Sequence, residues 1–207
     1  FSLYRHLITN EVWQLARCQM GYANFSSTPL LKSLGGHPYV DVRKTFNSYL
    51  PNGLTSTIGE KLVDAWLKRL ADHPELHDKV EFEVAQTCFT FDFDETFTQR
   101  YSSILEPQEY SEYRGKIKEL TVRQIKGKHP SLSTELEKIA ELRRKQADKK
   151  SKPLKVNIPE IVSLLDECIS FGTIPFAVLA RHAFIGQDLL KSLVHLSILS
   201  KEEPIIP

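Results

Sequence analysis

The apolar residues of this chain change their period near Pro107, and that change limits the folds open to it. Before Pro107, short stretches alternate with a period of two, as strands do. Tyr39 to Arg43 would send Val40 and Val42 to one face and Tyr39, Asp41 and Arg43 to the other. Lys79 to Gln86 would divide in the same way, with Val80, Phe82 and Val84 opposite Lys79, Glu81 and Glu83, and Phe89, Phe91 and Phe93 carry the pattern on. After Pro107 the steps become three and four residues, through Tyr110, Tyr113, Ile117 and Leu120 and then through Leu132, Leu136, Ile139 and Leu142, which is the period of amphipathic helices. The expectation is an α+β fold, mostly helical, with one small antiparallel sheet.

Local signals place the elements. Thr9 or Asn10 can cap a helix carrying Val12, Leu15, Ala16 and Met20, with Gly21 placed to end it. Leu30 to Leu34 and Tyr39 to Thr45 flank the Gly35–Gly36 break and predict a hairpin. Thr57 and Glu60 form a capping-box pattern before a helix through Ile58, Leu62, Trp66, Leu67 and Leu70, and Asp72 with Pro74 predicts a single further turn. Asn157 and Pro159 open a helix that Gly172 should close, and a last helix runs from Phe176 through Leu193. A chain of 207 residues is long enough to bury a full core. Residues 1–207 therefore read as a single domain, with an α+β part over about 1–100 and a helical part over about 101–207.

Composition excludes some function classes. A net charge of +1 offers no global attraction to nucleic acid, and the basic stretch Arg143 to Lys155 lacks interleaved aromatics and reads as a helix end followed by a linker. No uninterrupted apolar run approaches the roughly 20 residues of a bilayer span, so no membrane partner is expected. Cys18, Cys88 and Cys168 are odd in number and far apart, the pattern of reduced, buried thiols in a cytoplasmic protein. The chain starts at Phe1, and Lys201 to Pro204 opens a helix without an apolar face, so an internal piece of a longer protein is expected.

The residues that can carry chemistry sit mainly on the polar faces of the two predicted strands. Arg43 is a forked anion donor, Asp41 can orient it, and Tyr39 and Asn47 add hydrogen-bonding groups nearby. Lys79, Glu81 and Glu83 form a second polar face, and Arg181, inside an apolar helix, must find a carboxylate, water or a ligand anion. The plainer readings are a structural Asp–Arg pair, a solvated sheet face and a local turn at Asn47. Among the histidines, His6, His129 and His195 suggest no partner, and His182 follows Arg181 in the apolar helix. His73 and His77 stand four apart beside Asp78, but Pro74 interrupts the helix that would align them, and no metal site is assigned. Phosphate-binding-loop, dinucleotide-binding, nucleophile-elbow and paired CxxC signatures are all missing.

In LYRHLITNEVW, GGHPYVDVRKTFNSYLP, LADHPELHDKVEFEVAQTCFTFDFD and GTIPFAVLARHAFIGQDLLKSLV the chain resembles proteins related to phosphoenolpyruvate synthase and pyruvate phosphate dikinase, in the bacterial subgroup linked to capsule or surface-polysaccharide genes. That resemblance spans nearly the whole chain. It implies a parent phosphotransferase with an ATP-grasp domain, a middle region and a swivelling phosphohistidine domain, with ATP and Mg as cofactors of the parent and none held by this piece. By position the chain resembles the middle region, which binds the acceptor in the related rifampin phosphotransferase. The implied role is an acceptor-binding and domain-positioning module, inactive alone, whose partners are the nucleotide-binding and phosphohistidine domains of the same parent chain and a small-molecule or saccharide-related acceptor. Two other readings stand beside it. One is a non-catalytic scaffold that spaces those domains or binds a partner protein, and the other is a metal-dependent hydrolase built on His73, His77, Asp78 and the nearby glutamates.

Overall fold

The computed structural model describes residues 2–9, 12–24, 29–127, 130–150 and 157–200. The expected class holds: the chain is mostly helical, with one two-stranded antiparallel sheet. A short helical segment and a π turn over Arg5–Thr9 lead into α1 (Val12–Gln19), which ends before Gly21 at a φ of +97°. Strands β1 (Leu31–Leu34) and β2 (His37–Val40) form the hairpin, with Leu31 opposite Val40 and Leu34 opposite His37. Helices α2 (Val42–Asn47) and α3 (Ser56–Asp72) follow, then a 3₁₀ turn (Pro74–Leu76), a π turn (Val80–Val84), α4 (Phe93–Tyr101) and α5 (Pro107–Ile125). Helices α6 (Leu132–Lys150), α7 (Ile158–Cys168) and α8 (Ile174–His195) complete the described chain.

One apolar core joins the two halves. Val12 and Ala16 of α1 and Met20 just after it join Phe46, Leu62 and Trp66, then Phe93 and Phe97, then Tyr113 and Ile117, with Ile174 and Val178 of α8 in the same cluster. Phe46 packs its ring edge-on against Trp66 with centroids 5.9 Å apart, the geometry that aromatic quadrupoles favour.

Three predicted strands are corrected. The strand expected over Tyr39 to Arg43 stops at Val40, because the Asp41 carboxylate accepts the Lys44 amide at 3.1 Å and caps α2. Arg43 therefore lies on a helix, where it no longer shares a face with Tyr39. The alternating run after Lys79 coils into the π turn, whose carbonyls from Glu81 to Val84 are satisfied by side chains instead of a neighbouring strand, and the Val80 carbonyl by the Ala85 amide. Arg100 Nη1 donates to Phe82 O at 2.9 Å, Arg69 Nε to Glu83 O at 2.8 Å, Thr87 to Glu81 O at 3.2 Å, and the Tyr101 hydroxyl to Val84 O. Around Phe89 to Phe93 the backbone is likewise held by helices: the Phe89 amide donates to Thr121 at 2.8 Å and the Phe91 amide to Ser192 at 3.3 Å, and Phe93 opens α4.

Other boundaries shift for local reasons. Helix α3 starts at Ser56, one residue before the predicted cap, with the Thr55 amide and hydroxyl both donating to Glu112 Oε1. Gly172 does not end a helix, since a π turn over Ile169–Thr173 carries α7 into α8; a Cβ there would lie 3.2 Å from Leu142 Cδ2, so the glycine lets α6 approach closely. By length and composition the helical run Ile158–His195 would suffice to cross a bilayer, and 17% of its most apolar window is buried. Asp166, Glu167, Arg181, Asp188 and Lys191 interrupt it, so no uninterrupted apolar run there reaches bilayer length. The predicted features at Asn10, His129, residues 151–155 and residues 201–204 lie outside the described residues.

Candidate functional site

Arg181 sits on α8 between Val178 and Ile185, three and four residues away, and helical geometry puts all three on the buried face. The Arg181 side chain is only 5% exposed, and each of its three guanidinium nitrogens finds an acceptor. Its Nε donates to the Tyr22 hydroxyl at 3.0 Å, one terminal nitrogen to the Thr87 hydroxyl and the other to Glu81 Oε2 at 3.4 Å. Burial works against the charge, but Tyr22, Glu81 and their neighbours more than offset it and hold the Arg181 pKa above its ordinary value.

Glu81 is the meeting point. It projects from the π turn, a backbone form that is rare and recurs at functional sites. Its other oxygen accepts from the Tyr49 hydroxyl and from Arg17 Nη2 at 3.5 Å. Arg17, delivered by α1, also donates to Ser48 at 2.6 Å and to the Tyr49 hydroxyl at 3.1 Å, and its guanidinium lies 4.2 Å from the Tyr49 ring centroid. Burial raises the Tyr49 phenol well above its ordinary value, the Glu81 carboxylate adding to the effect against the opposing pull of Arg17, so the hydroxyl stays protonated as a donor.

Arg17, Tyr49, Glu81 and Arg181 line an apolar cleft of about 490 Å³ together with Trp13, Met20, Val42, Leu70, Phe176 and Phe184. The volume and the apolar lining with a few convergent polar groups match small-ligand sites. Two guanidiniums face one carboxylate, leaving one net positive charge. Both contacts, at 3.4 and 3.5 Å, are longer than the roughly 2.7–2.9 Å of a tight charge-assisted bond. Neither arginine grips Glu81 with its full fork. The cluster thus has the charge and the donors to take an anionic group from a ligand whose body fills the apolar walls.

Of the residues predicted as a site, Glu81 and Arg181 come together here. Arg43 does not line the cleft; it pairs with Asp64 at 2.7 Å in an exposed ion pair, and Asp41 pairs with Lys32 at 2.8 Å. Although burial opposes its charge, the bonds from Lys32 and the Lys44 amide keep the Asp41 carboxyl below its ordinary pKa. Tyr39 and Lys79 are exposed, Asn47 ends α2, and Glu83 bonds Arg100 at 2.9 Å. His73 meets Glu75 at 3.2 Å and His77 meets the Pro74 carbonyl at 3.2 Å. No group of three His, Cys, Asp or Glu side chains among the described residues is arranged to hold a metal ion. Cys18, Cys88 and Cys168 are free thiols, but only Cys88 is fully buried.

Sequence reasoning missed Arg17, Tyr49, Tyr22 and Thr87. Arg17 carried one usable signal, its place beside Ala16 on a helix whose apolar face was already legible. Comparison with protein-family models, curated proteins and solved structures returns no match for the chain.

Proposed function

We propose that this chain is the acceptor-binding and domain-positioning module of an ATP-dependent phosphotransferase related to phosphoenolpyruvate synthase. In this reading the parent chain is cytoplasmic, and its nucleotide-binding and phosphohistidine domains supply ATP, Mg and the phosphoryl group. The observation that carries the reading is the apolar cleft whose lining brings together Arg17, Glu81 and Arg181. The arginines fix an anionic group of the acceptor and the walls hold its apolar body, so that its reactive group is positioned for transfer. Calorimetric titration of the 207-residue chain with decanoate, a simple apolar carboxylate, tests the recognition step. Saturable binding weakened about tenfold by Arg17→Met, and unchanged by Arg43→Ala, is expected. Binding that ignores Arg17, or none at all, removes the reading.

A scaffold that spaces the flanking domains is the second reading. It is favoured by the apolar side of α7, where Ile158 and Val162 are 77% and 50% exposed, and by the scatter of Tyr39, Arg43 and Lys79 away from the cleft.

A further inference from the structure

The π turn has a cavity on each side. Glu81 lines both, and the second, of about 270 Å³, differs in chemistry from the apolar cleft. Asp188, Lys191 and His195 reach it from successive turns of one face of α8, Thr90 and Asp92 from the loop before α4, and Arg100 from α4 itself. The site is built around a fixed carboxylate. Asp92 is largely buried; its Oδ1 accepts the Thr90 hydroxyl at 2.7 Å, and its Oδ2 lies 2.7 Å from His195 Nδ1. With Nδ1 held, the opposite nitrogen of the half-exposed imidazole is left for a ligand.

We propose that this pocket binds a neutral polyhydroxylated ligand the size of a single monosaccharide ring. Four carboxylates, from Glu81, Glu83, Asp92 and Asp188, line it together with cations from Arg100 and Lys191, and two of the four are already engaged, Glu81 by Arg17 and Arg181 and Glu83 by Arg100. An anion would meet the four carboxylates and a cation the two basic groups. A hydroxyl both donates and accepts, so one polyol satisfies both kinds of partner without importing charge. The volume lies just below the range of about 300–1,000 Å³ usual for ligand pockets, which fits one ring at most and excludes an extended oligosaccharide. This inference is independent of the acceptor cleft.

The test is a nitrogen-15 NMR titration of the 207-residue chain with D-glucose, N-acetyl-D-glucosamine and D-ribose, with acetate and methylamine as charged comparators. At least one sugar should give saturable shifts of the Thr90, Asp92, Lys191 and His195 amides. His195→Gln and Lys191→Met, changes at the solvent edge that should leave the spectrum dispersed, are expected to weaken that binding about tenfold each, and Arg17→Met to leave it unchanged. Absence of saturation by all three sugars, preference for either charged comparator, or binding indifferent to both pocket variants would overturn the proposal. Loss of decanoate binding alone bears on the cleft and not on this pocket.

Discussion

Replacing Glu81 with Gln keeps the shape of the side chain and removes its charge, which isolates the role of the carboxylate between two guanidiniums. In the wild type Glu81 accepts from Tyr49, Arg17 and Arg181, and the side chains of Arg17 and Arg181 are mostly buried. The variant leaves two like charges without a counter-ion at this site. Losing one member of a buried charge cluster costs about 3–5 kcal/mol, and because Glu81 retains some solvent contact and its charge contacts are long, about 2–4 kcal/mol is expected here. For a domain of this size that lowers the thermal midpoint by about 4–16 °C. Combining Glu81→Gln with Arg181→Met should cost less than the sum of the two single changes, since the second then removes an uncompensated cation. Thermal and urea unfolding of the four proteins of this cycle measure the coupling. A Glu81→Gln midpoint within about 2 °C of wild type, or strictly additive changes, would refute the view that the three charges act as one unit.

Three further outcomes follow from named contacts. Asp188, whose carboxylate accepts the Cys88 thiol at 3.6 Å, has its pKa raised to about 6 by burial. The folded state therefore holds a proton that the unfolded chain releases near pH 4, so this group's contribution to stability is full below about pH 4 and is lost as pH rises through about 6; discounted for partial exposure, the loss is about 2 kcal/mol. Asp188→Asn should flatten that decline in urea unfolding at pH 4, 5 and 7, and an unchanged slope would contradict it. Gly21→Ala should destabilise by about 1–2 kcal/mol, because φ is +97° there and the new Cβ would lie 3.0 Å from Leu120 Cδ1; an unfolding midpoint equal to wild type would contradict it. Arg43→Ala should change stability by no more than about 0.5 kcal/mol, as its ion pair with Asp64 is exposed on both sides, and a loss of several kcal/mol would give Arg43 a structural role that this geometry does not.

Helices were the legible part of the sequence because their signals are local. Asn157 caps α7 by accepting the Glu160 amide at 2.9 Å, and the Gly35–Gly36 break turns the hairpin as the residue pattern implies. The run VEFEV misled because alternation specifies a strand only when a partner strand supplies hydrogen bonds, and here Arg69, Thr87, Arg100 and Tyr101, distant or downstream in sequence, satisfy the carbonyls instead. Phe91 shows the same limit: it is 61% exposed although it continues an apolar alternation. The site was half legible for a related reason. Arg181 declared itself as a charge within an apolar helix, whereas Arg17 and Tyr49 gain their roles only when α1 and the turn after α2 are brought to Glu81 by tertiary packing. Tyr39, Asp41 and Arg43 were grouped by a strand face that the Asp41 cap abolishes.

If the proposed function holds, its most direct test is acceptor-dependent ATP consumption by the proposed longer phosphotransferase, comparing wild type with folded Arg17→Met and Arg43→Ala proteins. The account predicts that Arg17→Met loses acceptor-dependent turnover with ATP binding intact while Arg43→Ala behaves as wild type. Unchanged turnover in Arg17→Met would contradict it and leave the scaffold reading in its place.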